Sequence, residues 1–153
     1  MTTLSDFLDD ADFNEHVPWA IEHYKKGEII VEEGEHGTDV YLILDGEVNV
    51  VSKLDDKLKS TLTSGLAKMS TKDIFGELSM FDSKPRSARV EASSNCKVAK
   101  IEGAALISYM DNNPDKGYFV MRDILMNLII HMRQNNLRSK TILQLYLQEH
   151  EDC

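Results

Sequence analysis

The stretch "FGELSMFDSKPRSARVEA", residues 75–92, decides how this chain reads. It places Gly76, Glu77 and Arg86 inside an otherwise strand-like and apolar region. Gly76 has no Cβ and allows backbone or ligand to approach closely. "ELSMF" has room for one helical turn, whose unpaired N–H groups attract an anion. Arg86 adds a planar fork of donors that matches a phosphate. Glu77 accepts hydrogen bonds only, and so suits sugar hydroxyls. Ser87 and Ala88 are small enough to admit a ligand against the backbone. The residues therefore describe a pocket for one phosphate and one ribose. The competing reading is structural: a Glu77–Arg86 ion pair bracing a barrel loop.

Around this stretch the chain falls into three zones. Residues 1–17 carry a weak amphipathic pattern (Leu4, Phe7, Leu8, Phe13) that predicts a short N-terminal helix. Residues 18–102 break into short apolar runs separated by turn residues. In "VYLILDGEVNVVS" two strands meet at Asp45-Gly46, a hairpin signal, and "KLDDK" reads as a polar hairpin tip. Many short strands predict an antiparallel β-barrel or jelly roll of about eight strands. From Gly103 the pattern becomes helical. "GAALISYM" predicts a short helix, and Asn113-Pro114 marks the start of a long one. Met121, Leu125, Leu128, Met132, Ile142 and Tyr146 follow a heptad seam, with Asn135 and Ser139 at its polar positions. That seam predicts a homodimer; the alternative is a core helix packed on its own barrel. The fold class is α+β, in a single domain of 1–153: a helical segment (1–17), a barrel (18–102) and C-terminal helices (103–150).

Composition excludes several classes. The formal net charge of −9 works against binding nucleic acid or an anionic membrane. No apolar run approaches the ~20 residues of a membrane span, and "MTTLSDFLDDADF" is no signal peptide. Cys96 and Cys153 build neither a disulfide framework nor a metal cluster, so a cytoplasmic location is expected. The histidines lack ligand spacing and no nucleophile motif occurs, so neither a metal site nor an enzyme is expected. His131, one turn before Asn135, reads as a surface residue, with approach to the ligand as the alternative.

The stretch also resembles the phosphate-binding cassette of cyclic nucleotide-binding domains, roughly F-G-E-L-A, two apolar residues, then P-R-x-A-x-V-x-A. The likeness extends upstream through Gly27, Gly34, Gly37 and Gly46, and downstream to the short and long helices. It implies that Glu77 binds the ribose 2′-hydroxyl and Arg86 the exocyclic phosphate oxygens. Backbone amides near Leu78, Ser79 and Ala88, beside Gly76, would complete the cradle. Val50, Leu66 and Met69 would supply apolar contacts from the barrel. The long helix resembles the lid over the base, with Asn135 and Asn136 where the bacterial activators read adenine; Asn135 alternatively only sets dimer register. Two departures stand out: Lys72-Asp73 replaces a Gly-Asp turn, and Arg89 stands where Thr, Ser or an aromatic is common. Ser87 fits cAMP or cGMP, and cAMP is expected. No other cofactor is implied. The resemblance implies a stand-alone receptor that signals to an unknown protein effector. A scaffold on a degenerate domain that binds no nucleotide, or a regulatory fragment of a larger protein, are the alternatives. Activators of this family continue into a winged helix-turn-helix, for which the expected stand-alone chain has no room.

Overall fold

The computed structural model describes residues 2–52 and 67–151; the side chains of 136–142, 150 and 151 are not among those described. Two short helices come first, α1 (Leu4–Phe7) and α2 (Ala11–His16). The strands are β1 (Trp19–Tyr24), β2 (Ile29–Val31), β3 (Val40–Asp45), β4 (Val48–Val51), β5 (Ala67–Met69), β6 (Ile74–Phe75), β7 (Arg89–Ala92) and β8 (Cys96–Ile101). Helix α3 (Glu77–Asp82) lies between β6 and β7, and α4 (Gly103–Asn112) and α5 (Pro114–Glu151) follow β8. The strands form two antiparallel four-stranded sheets, β1-β8-β3-β6 and β2-β7-β4-β5. This is the expected α+β jelly roll, with two short N-terminal helices where one was read.

The first sheet is covered on both faces, and its sequence shows why. Strand neighbours point to opposite sides. Val40 and Leu42 of β3 join Ile74, Ala99, Ile101 and the helical residues Leu4, Phe13, Leu106, Tyr109, Val120 and Ile124. Tyr41 and Ile43 join Val31, Val48, Phe75, Val90 and Val98 between the sheets. Hence "VYLI" is buried without alternation, as a strand with two dry faces must be.

The hairpin read at Asp45-Gly46 is corrected by the sheet order. β3 and β4 lie in different sheets, so this turn is a corner that carries the chain from one to the other. Gly46 has φ 104°, and a Cβ there would stand 2.5 Å from the Asn95 carbonyl oxygen and 2.8 Å from Cys96 Sγ. Its packing under the β7–β8 connection, rather than a two-residue reversal, requires the glycine. The "KLDDK" tip lies outside the described residues, although β4 and β5 on either side of it do pair antiparallel.

Asn113-Pro114 begins the long helix as read: the Asn113 carbonyl accepts from Gly117 N at 2.7 Å. Its side chain, however, donates back to Tyr109 O at 3.0 Å and so closes the end of α4. Helix α5 has 38 residues, which at 1.5 Å per residue is roughly 57 Å. Gly117, Val120, Ile124 and Asn127 form its buried stripe. The predicted seam lies one residue round: Leu128 is half-buried, while Met121, Leu125 and Met132 are 44%, 56% and 56% exposed. α5 is thus a core helix along one stripe and an uncovered apolar surface along the next. Leu4 N donates to Asp123 Oδ2 at 2.8 Å, and Lys116 Nζ to Asp12 Oδ2 at 3.0 Å, tying α1 and α2 to it.

Candidate functional site

The site is built where β6 runs into α3. Gly76 makes the junction with φ 85°, in the left-handed region. A Cβ there would lie 2.8 Å from Asp39 O and 2.9 Å from Arg86 Nη1, so only glycine leaves room for the arginine. Arg86 itself is 7% exposed. Its Nη1 donates to Gly76 O at 3.0 Å and its Nη2 to Asp39 O at 2.9 Å. The backbone around it is pinned by Arg86 N to Glu35 O at 2.8 Å and Gly34 N to Arg86 O at 2.9 Å. The guanidinium carbon stands 5.9 Å from the Tyr41 ring centroid, and Tyr41 stacks on Phe75 at 4.9 Å and 5°. Burial pushes the Tyr41 hydroxyl up to about 12, against the smaller opposing pull of Arg86. The competing reading, a Glu77–Arg86 ion pair, gives way to these carbonyl bonds.

Glu77 opens α3 and is 6% exposed. Burial raises its carboxyl above the ordinary carboxylate range, while its own backbone N–H, His131 and Arg86 pull it down by less. A buried acid and a buried arginine therefore share one wall. Beside them is a cavity of about 160 Å³. Gly76, Glu77, Leu78, Ser79, Arg86, Ser87 and Ala88 line it, joined by Val50 and Met69 from the second sheet. Val31, Phe75 and Val90 line it too and were missed; their only sequence signal is their place on inward positions of barrel strands. Leu66 lies outside the described residues, as does the side chain of Asn136. Asn135 is on α5 with an exposed side chain and is not among the lining residues.

Neighbouring residues explain the departures noted above. Lys72 adopts φ 76°, so the turn keeps a left-handed residue without glycine. Ser70 N to Asp73 Oδ2 at 2.8 Å and Lys72 N to Ile43 O at 2.8 Å hold it in place. Arg89 Nε donates to both carboxylate oxygens of Glu32, at 3.0 and 3.1 Å, a bifurcated contact between β7 and the residue after β2. His131 is not a surface residue: its side chain is 11% exposed. Asp12, Glu15 and His16 bring ligand-type atoms within 4.8 Å of one another, but Asp12 is already engaged by Lys116 at 3.0 Å.

Among the described residues, eight strands form a jelly roll whose cavity is walled by a short helix, a buried acid and a buried arginine. The comparisons with known proteins place it further. The family model of the cyclic nucleotide-binding domain matches residues 21–113, and the chain belongs to that family. It is similar to a CRP-like cAMP-activated global transcriptional regulator of Mycobacterium tuberculosis, 27% identical over 74% of this chain and 47% of that protein. It is also similar to a cAMP-dependent protein kinase regulatory subunit of Candida albicans, 41% identical over 52% of this chain and 16% of that one. Among solved structures, a cyclic nucleotide-binding domain of Methylobacillus flagellatus aligns with TM-score 0.68 and 30% identity, over 78% of this chain and 65% of that one. A c-di-GMP-responsive global regulator of Xanthomonas campestris shares the fold at TM-score 0.71 and 16% identity, over 89% and 63% of the two chains. The chain thus spans about half the length of the mycobacterial regulator and 65% of the Methylobacillus chain.

Proposed function

We propose that this chain is a cyclic nucleotide receptor, with cAMP preferred over cGMP, and that it acts by binding rather than by catalysis. One observation carries the reading: Glu77 and Arg86, both buried, line the same cavity with Gly76 and the small residues Ser79, Ser87 and Ala88. Glu77 accepts from the ribose 2′-hydroxyl. Arg86 and the amides of Leu78, Ser79 and Ala88 hold the phosphate. Val50, Met69 and Leu66 contact the ligand from the barrel, and Asn135 and Asn136 meet the base when α5 closes. The preference for cAMP is supported by relatives whose names specify cAMP. The whole chain acts as one domain: helical segment 1–17, barrel 18–102, C-terminal helices 103–150.

Binding shifts the population toward a state with α5 closed over the cavity, and the altered helix signals to a protein effector. The exposed Met121, Leu125 and Met132 support a homodimer through α5. Among the described residues, no helix is long and apolar enough to cross a membrane. The sparse cysteines fit a cytoplasmic location, and the net charge of −9 fits the lack of a nucleic-acid partner. A second reading, a scaffold that binds no nucleotide, draws on the bracing of Arg86 by the carbonyls of Gly76 and Asp39. The coverage of only part of its relatives also fits a regulatory portion of a larger protein. Isothermal titration with cAMP and cGMP separates receptor from scaffold. Saturable heat with cAMP supports the receptor; none with either nucleotide at millimolar concentration rejects it.

A further inference from the structure

Helix α5 brings a histidine to Asp73, the acid just before β6. One turn before it, Asn127 clasps the strand below: Nδ2 donates to Ile74 O at 2.8 Å, and Oδ1 accepts from Ile74 N at 3.1 Å. His131 follows on the same stripe, with its side chain 11% exposed and Nε2 at 3.5 Å from Asp73 Oδ1. That separation is an ion-pair distance for an imidazolium, and longer than a good hydrogen bond. Both ring nitrogens are buried without a hydrogen-bond partner among the described residues. Asp73 and Glu77 flank β6, and a charge on His131 also acts on Glu77. Of the groups facing this point, Asp73 and Glu77 are acidic and Arg86 reaches Glu77 from the cavity wall; Lys72 precedes Asp73 in the turn. On α5 itself the neighbours one turn away, Asn127, Leu128, Gln134 and Asn135, do not titrate.

We propose that His131 is a positioning residue that joins α5 to the cassette: as an imidazolium paired with Asp73 it helps to keep Glu77 ionised when a nucleotide seals the cavity, so binding takes up a proton. The inference rests on the receptor reading above. An ionised carboxylate is a stronger, charge-assisted acceptor for a ribose hydroxyl than the neutral acid. Sealing the cavity strips the remaining water from Glu77, which by itself favours the neutral acid. A neighbouring positive charge opposes that, and more strongly in the drier surroundings. Histidine ordinarily changes charge between about pH 5 and 8. Since the bound state holds more protons than the free state, affinity falls as pH rises through that window.

The test is calorimetry of the whole chain with cAMP at pH 6 and pH 8, in two buffers of different ionisation heat. For the wild type we expect affinity roughly three- to tenfold weaker at pH 8, with up to about one proton taken up per nucleotide at intermediate pH. The His131→Gln variant should bind weakly and alike at both values. His131→Arg, charged throughout, should bind tightly at both. If wild type and His131→Gln bind with the same pH profile, the inference is overturned and the receptor reading survives. If wild type binds at neither pH, both are overturned.

Discussion

Replacing Arg86 separates the bracing of the loop from recognition of a phosphate. In the nucleotide-free fold its fork donates to two backbone carbonyls, Gly76 O and Asp39 O, and it stands 5.9 Å from the Tyr41 ring centroid. Truncation to alanine leaves both carbonyls without their donor and opens space beside Tyr41. At about 1 kcal/mol or more for each lost bond, and ~0.5–1 for the ring contact, the Arg86→Ala fold should lose roughly 2–4 kcal/mol. For a chain of this size that lowers Tm by about 5–15 °C. Loss of two charge-assisted bonds to the phosphate, each ~1.5–3 kcal/mol, should weaken cAMP by roughly 10²–10⁴-fold. The cleaner variant is Arg86→Lys, which keeps the charge but not the fork. It should lose about 10–100-fold in affinity while its Tm falls much less than that of Arg86→Ala. Thermal unfolding without ligand and titration calorimetry with cAMP read the two effects separately. A folded Arg86→Lys or Arg86→Ala protein that binds cAMP with wild-type affinity would show that Arg86 only braces the loop.

Three further outcomes are expected. Burial raises the Glu77 carboxyl in the fold, so its ionisation opposes folding, and stability contributed by this group falls as pH rises above the ordinary carboxylate range. Glu77→Gln should therefore raise the nucleotide-free Tm at pH 7 by a few degrees, with the gain shrinking toward pH 4, while cAMP binding is lost; a lower Tm at pH 7 would contradict this. Asn127→Ala leaves both the N–H and C=O of buried Ile74 unpaired and should cost about 2–4 kcal/mol in urea unfolding, where less than ~1 would deny the clasp its role. Leu125→Glu with Met132→Glu should give monomers in sedimentation without loss of fold, because both side chains are exposed; Leu128 is a poorer choice, being packed on the core.

What the sequence revealed depended on how local each signal was. Gly76, Glu77, Arg86, Ser87 and Ala88 lie within 13 residues of one another, and the turn at Gly76 gathers them round one cavity. Eight short runs punctuated by Gly and polar residues were enough for a jelly roll. The corner at Asp45-Gly46 was misread because a short turn signal says nothing about which sheet the next strand joins. That was decided by the contact of Gly46 with Asn95 and Cys96, some 50 residues on. On α5, two apolar stripes run side by side, and the one with stronger Met and Leu content is the exposed one. The buried stripe, Gly117-Val120-Ile124-Asn127, mixes a glycine and an amide, so apolar content undervalued it. Without that stripe His131 reads as facing solvent; extending the Val120-Ile124-Asn127 spacing by one turn places it inward.

The central claim is that the cavity beside α3 holds a cyclic nucleotide with its ribose on Glu77 and its phosphate on Arg86. A structure of the chain with cAMP tests it most directly. The account predicts the exocyclic phosphate oxygens at about 2.7–2.9 Å from the Arg86 fork and the 2′-hydroxyl within hydrogen-bond distance of the Glu77 carboxylate. A nucleotide bound elsewhere, or one in this cavity that leaves Arg86 engaged only with the carbonyls of Gly76 and Asp39, would contradict it.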